Sequence, residues 1–197
     1  MEPKKAFKRL PDEKKQDFID KAIDLFLSVP YEDITMRMLN KALSINSATF
    51  YRYFDSKDAL YLYIYHTIAE KLPKSEGYNL WEAPLSNMIT YAPYISMREK
   101  NFLSLIYKIP DHVLQMLLDL YRDEEFDKFK EYLTLDKRKG KLREDIDIDF
   151  LIWLLFTIRN QLYIYVRQQG YSVDEIFRLL NFVFRDLLRN GIYKHDS

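Results

Sequence analysis

Residues 35–60 read TMRMLNKALSINSATFYRYFDSKDAL. Thr35, Asn46 and Ser56 each precede a helix-forming run, and each carries a side-chain oxygen able to accept a hydrogen bond from the free amides of a first turn. These caps predict a short helix from Thr35 to about Leu43, a second from Asn46 to Phe54, and a longer one from Lys57 to about Leu72 that ends at Pro73. The two short helices sit three residues apart. Leu39, Leu43, Ile45, Phe50 and Phe54 are spaced to pack against a preceding helix. That helix starts near Pro11 and Asp12, carries Phe18, Ala22, Leu25, Phe26 and Val29 on one face, and ends at Pro30. Two short capped helices around a tight connection, backed by a third, make a helix-turn-helix.

The outward residues of the second short helix are Ser47, Ala48, Thr49, Tyr51, Arg52 and Tyr53. Small residues at its start let the backbone approach base edges, Arg and Thr supply contacts, and Tyr hydroxyls can reach phosphate oxygens. Lys57 sits in the first turn of the next helix, where its ammonium and the free amides together would clamp a phosphate. Between residues 35 and 57 the charges are Arg37, Lys41, Arg52 and Lys57 against Asp55 alone. Lys4, Lys5, Lys8 and Arg9 could form an arm over the DNA backbone or minor groove, or be a solvated terminus.

Thr35, Leu39, Ile45, Thr49 and above all residues 50–60, FYRYFDSKDAL, resemble the tetracycline-repressor (TetR) family of bacterial transcription regulators, whose signature in this region is L-Y-x-Y-F-x-S-K-E-x-L. The resemblance covers roughly the first 70 residues. It implies DNA contacts at Thr35, Arg37, Ser47, Ala48, Thr49, Tyr51, Arg52, Tyr53 and Lys57. A weaker similarity lies in residues 139–147, KGKLREDID, which look like the loop and cap before the family's penultimate helix. Family members usually have A-G-V-S in the turn, followed two residues later by a Gly; here stand Leu43, Ser44, Ile45 and Asn46, then Ala48. Ser44 is therefore expected to take a backbone conformation that glycine adopts more cheaply. Asn40 stands where a small Ala is usual and is expected to loosen or re-angle its helix.

The composition narrows what else the chain can be. It has 197 residues, with 30 Lys and Arg against 30 Asp and Glu, no Cys and four Gly. Without Cys there is no disulfide frame, thiolate metal site or cysteine nucleophile. The four scattered glycines cannot build a G-x-G-x-x-G turn or a P-loop. His66, His112 and His195 lie far apart, outside any H-E-x-x-H or Glu-x-x-His pattern, and no Ser sits in a G-x-S-x-G elbow, so neither an enzyme nor a metal or other cofactor is expected. The N-terminus has no signal-like apolar run, and residues 150–158 are too short to span a bilayer, which points to the cytoplasm.

Scarce glycine and apolar residues three and four apart predict an all-α chain of about nine helices. The division expected is 1–56 as the helix-turn-helix domain and 57–197 as a helical ligand-binding and dimerisation domain. Residues 73–84 read as a loop, and later helices are expected near 83–92, 96–108, 111–135, 147–169 and 172–190. Residues 150–166, FLIWLLFTIRNQLYIYV, are apolar around most of a helix, so both sides need cover. The last helix adds Val173, Ile176, Phe177, Leu180, Val183, Phe184, Leu187 and Leu188, with Leu179 and Phe182 widening the arc. A homodimer through residues 147–169 and 172–190, forming a four-helix interface, supplies that cover. Phe102, Ile106, Tyr107, Met116, Trp153, Asn160 and Tyr163 are candidates to line an apolar effector pocket, or else are core. Arg159 beside Asn160 could orient a ligand or join a buried ion pair.

Together with these readings, the resemblance implies a regulator that binds a double-stranded DNA operator, with repression the leading mode, an activator or co-repressor-dependent regulator the near alternative, and an apolar or aromatic small molecule releasing the DNA. The competing reading is a helical protein-interaction module that has lost sequence-specific DNA binding.

Overall fold

The computed structural model describes residues 2–72 and 94–192. Among these the chain is helical, apart from an isolated β-bridge position at Leu142. The α-helices are α1 (Lys5–Lys8), α2 (Asp12–Ser28), α3 (Met36–Leu43), α4 (Ser47–Tyr53), α5 (Lys57–Ala69), α6 (Met97–Ser104), α7 (Asp111–Arg138), α8 (Ile148–Gln169), α9 (Val173–Asn181) and α10 (Asn190–Ile192). Single 3-10 turns occupy Tyr31–Asp33 and Leu105–Tyr107. The helix expected over residues 172–190 is α only as far as Asn181; Phe182–Arg189 continue it with the wider turns of a π-helix. The expected loop at 73–84 and helix at 83–92 lie outside the described residues.

All three caps form. The side chains of Thr35, Asn46 and Ser56 accept from the backbone amides of Met38, Thr49 and Ala59 at 3.3, 2.8 and 3.0 Å. Further along, Ser96 and Glu99 make a reciprocal capping box at the start of α6, Ser172 and Glu175 make one at α9, and Asp147 caps α8.

The described residues fall into two compact units, 2–72 with 94–117, and 118–192. In the first, Phe18, Ala22 and Phe26 of α2, Leu39 and Leu43 of α3, and Phe50 and Phe54 at α4 are buried as the spacing predicts, while Leu25, Val29 and Ile45 are half-buried. Helices α5 and α6 pack into this same unit. Aromatic packing accounts for this. Tyr61 of α5 is fully buried, with its ring 5.4 Å from Phe26, 5.4 Å from Tyr31 and 4.9 Å from Phe102 of α6. Each such ring, fully buried, contributes about 1.5–3 kcal/mol. Arg98 of α6 adds direction to the packing, donating to the carboxylates of Asp20 and Asp24 on α2, each at 2.8 Å, and to the Asp20 carbonyl.

In the second unit Leu133, Leu142, Leu151, Ile152, Leu155, Val166, Ile176, Leu180 and Phe184 are buried. Phe156 of α8 meets Phe129 of α7 at 5.4 Å, and the buried Arg159 lies over the Phe156 ring at 4.5 Å. Phe150 and Trp153 stack on each other at 5.8 Å and remain 60% and 58% exposed.

Candidate nucleic-acid interface

The turn between α3 and α4 is closed by backbone geometry. Ser44 adopts φ 55° and ψ 40°, the left-handed conformation expected of it and unique among the described non-glycine residues. Its amide donates to the Lys41 carbonyl at 3.3 Å, and the Ile45 amide donates to the Asn40 carbonyl at 3.0 Å. This is the Schellman closure that glycine usually supplies. Asn40 lies within α3 and bridges to the next helix. Its side-chain amide donates to the Ser47 hydroxyl at 2.7 Å, joining α3 to the first residue of α4.

With Phe50 fully buried as its anchor, α4 presents Ser47, Ala48, Tyr51 and Arg52 on one exposed face, Tyr51 being 47% exposed. Thr35 and Arg37 at the start of α3 are also exposed. Thr49 and Tyr53 are half-buried, the Tyr53 ring resting against Phe7 at 5.5 Å and Phe18 at 5.9 Å. Seven of the nine DNA-contact candidates therefore lie at the accessible start of α3 or along α4, with Tyr53 at its flank.

The Lys57 side chain turns toward the segment before α3. Its ammonium donates to the carbonyls of Tyr31 and Ile34 at 2.7 and 3.0 Å and sits 4.4 Å from the centre of the Tyr31 ring. Two of its three donors thereby hold the turn that leads into α3. Burial pulls its pKa down, opposed by Asp58, Glu32 and Asp33. The Tyr31 hydroxyl donates to Asp58 at 2.5 Å, and burial together with that carboxylate raises the hydroxyl's pKa. The second carboxylate oxygen of Asp58 lies 3.5 Å from His112.

The N-terminal segment is neither a free arm nor a solvated tail along its whole length. Phe7 of α1 is fully buried among the rings of Phe18, Tyr53, Phe54 and Tyr63, at 4.9–5.6 Å. Lys4 binds the end of α4. Lys5, Lys8 and Arg9 stay exposed. The signal available in sequence was Phe7 itself, one aromatic residue among lysines.

The effector candidates divide between the two units. Phe102, Ile106 and Tyr107 are buried and Met116 half-buried in the first; Phe102 belongs to the ring cluster that joins α6 to α2 and α5. In the second, Trp153 is exposed and Asn160 half-buried, its side-chain oxygen buried without a hydrogen-bond partner among the described residues. The Tyr163 side chain lies outside the described residues. An open cleft of about 230 Å³ in the first unit is lined by Phe26, Val29, Tyr31, Leu105, Lys108 and Ile109, among others, and by none of these candidates. Among the described residues no cluster of His, Asp and Glu could hold a metal ion, and no helix is long and apolar enough to cross a membrane.

Comparison with known proteins places this geometry. Residues 18–64 match the family model described as bacterial regulatory proteins, tetR family. No match to a curated protein is found. Among solved structures, the chain resembles a TetR family transcriptional regulator from Chloroflexus aurantiacus at 21% identity and a TM-score of 0.52, over 99% of this chain and 100% of that one. It also resembles the fatty acid degradation regulator FadR from Bacillus halodurans at 13% identity and a TM-score of 0.56, over 92% and 99% of the two chains. A third likeness is to NalD, the secondary repressor of the MexAB-OprM multidrug efflux pump in Pseudomonas aeruginosa, at 11% identity and 0.58, over 94% and 99%. At these identities the structures show a shared fold.

Proposed function

We propose that this chain is a transcriptional regulator of the TetR family, whose model matches residues 18–64, that it binds a two-fold DNA operator as a homodimer, and that it acts as a repressor released by an apolar or aromatic small molecule. One observation carries the DNA-reading assignment: an α4 anchored from beneath by Phe50 and capped by Asn46, with Ser47, Ala48, Tyr51 and Arg52 turned outward. Such a helix can enter a major groove without a bulky side chain at its leading end. Thr35, Arg37 and Thr49 reach the flanking backbone, and Tyr53 offers its hydroxyl beside them. The Ser47 hydroxyl accepts from Asn40, so its own proton stays free for a base or phosphate. Lys57 serves by holding the entry to α3 and has one donor left for a phosphate.

Two subunits are needed because a helix of seven residues reads few base pairs. Exposed Phe150, Trp153 and Tyr165 on α8, with Phe182 and Leu187 after α9, support the pairing of these helices with their copies. Two recognition helices then address half-sites roughly 34–36 Å apart. For the effector, Asn160 is the polar handle we favour, on account of its buried, unpartnered oxygen. An effector lowers DNA affinity only by the ratio of its affinities for the DNA-bound and released arrangements. A regulator of this kind works in the cytoplasm.

The test is Tyr51→Ala in a mobility shift on DNA that the parent protein selects from a random duplex pool. Binding should weaken by about tenfold or more, a loss of at least one good contact in each subunit, while dimer mass and helicity stay unchanged. Parent-like binding would remove Tyr51 from the interface.

A further inference from the structure

The C-terminal end of α4 is held by a residue outside the helix-turn-helix. Helix α4 has only two turns, and its last carbonyls have no partners within the helix. The Phe54 amide takes the Phe50 carbonyl at 2.9 Å. Lys4 takes two more. Its backbone amide donates to the Tyr53 carbonyl at 2.9 Å, and its ammonium donates to the Tyr51 carbonyl at 2.8 Å. The same ammonium pairs with Asp55 at 2.5 Å. A cation at this position also complements the negative end of the helix dipole.

Three residues on, Phe7 fixes where Lys4 can be. The Phe7 ring lies between α2, α4 and α5 through Phe18, Tyr53 and Tyr63, and the preceding Pro3 is buried as well. The segment from Pro3 to Phe7 is thus a strut with one end in the core and the other on the carbonyls of the DNA-reading helix. The Lys4 side chain also pairs with Asp55, an exposed residue just after that helix, which fixes the ammonium at the helix end.

We propose that Lys4 is a positioning residue for operator recognition, setting the orientation of α4 from its C-terminal end and touching neither base nor phosphate. The proposal rests on α4 being the DNA-reading helix. It makes the first nine residues part of the recognition unit, although the family match begins only at residue 18. It also separates Lys4 from Lys5 and Arg9, whose side chains are exposed, and from Lys8, which is exposed and pairs with Glu2.

A phosphate contact and a positioning contact leave different marks. Losing one phosphate contact lowers the slope of log K against log salt by about 0.9 and weakens binding to every duplex alike. Losing a positioning contact weakens binding to the selected operator and leaves both the slope and the affinity for random duplex in place. The experiment compares the parent protein, Lys4→Met and Lys4→Arg on the duplex the parent selects and on a random duplex, across a salt series, with helicity checked by circular dichroism. Lys4→Met should bind the selected operator about tenfold more weakly, with unchanged slope, unchanged random-duplex affinity and unchanged helicity. Lys4→Arg, which keeps the charge and a donor, should restore most of the binding. Operator affinity equal to the parent's, or a slope reduced by one contact in Lys4→Met, overturns the proposal. A parent protein that selects no sequence at all overturns the reading of α4 itself, and that result is distinct from either of the others.

Discussion

Ser44 holds a φ of 55° with a side chain present, in a region that L-residues enter at a cost of roughly 1–2 kcal/mol. Glycine would enter it freely but would gain freedom in the unfolded chain. The balance predicts that Ser44→Gly raises the unfolding free energy by about 1 kcal/mol, measured by urea denaturation; a lowered midpoint would contradict the strain. This position was legible in the sequence because the resemblance sets Ser44 where the family's turn usually has glycine. Lys57 was less legible. Its place after the Ser56 cap announced a cation beside free amides, but the carbonyls of Tyr31 and Ile34 that attract it come from a turn 23 to 26 residues away. Asn40 shows the same limit: its volume could be read, its bond to Ser47 could not, since that depends on the crossing of α3 and α4.

Helix starts were the most readable feature of the elements, because a cap is a local contract between one side chain and an amide three residues on. Thr35, Asn46 and Ser56 all honour it. Helix α1 was missed, being a single turn stabilised by Phe7 in a distant core rather than by its own sequence. The attachment of α6 to α2 and α5 was equally hidden, as it depends on contacts between residues 28 to 78 positions apart. Part of that attachment should respond to acid. Burial pulls the Glu99 carboxyl up, but Lys71 at 2.5 Å and the hydroxyl and amide of Ser96 outweigh it, and its pKa is lowered overall. A lowered folded pKa means that the stabilisation is complete above the ordinary Glu value of about 4.3 and is lost as pH falls through and below it. The protection of amides across residues 97–104, taken relative to their intrinsic exchange rates, should therefore fall below about pH 4 in the parent, and Glu99→Gln should be less protected at neutral pH with a flatter acid response. Equal acid responses in the two proteins would remove Glu99 from the α6 attachment.

The proposed function rests on the pairing of two chains. Residues 150–166 were apolar on too many sides for a surface helix, and Phe150 and Trp153 do remain exposed in the second unit. If the proposed dimer forms through these helices, Trp153→Glu should give a species with the mass of one chain by light scattering, with helicity kept, where the parent has the mass of two; an equal mass for the two proteins would contradict this interface. Dimerisation and DNA reading then stand or fall together, because two short α4 helices are specific only as a pair. The most direct measurement is selection of bound sequences from a random duplex pool by the intact protein, followed by titration of the winner in a salt series. The account predicts an inverted repeat whose half-sites lie about one helical turn apart, or a multiple of it, bound with an affinity that falls steeply with salt. Enrichment of no sequence, or of a single unpaired half-site, would contradict it.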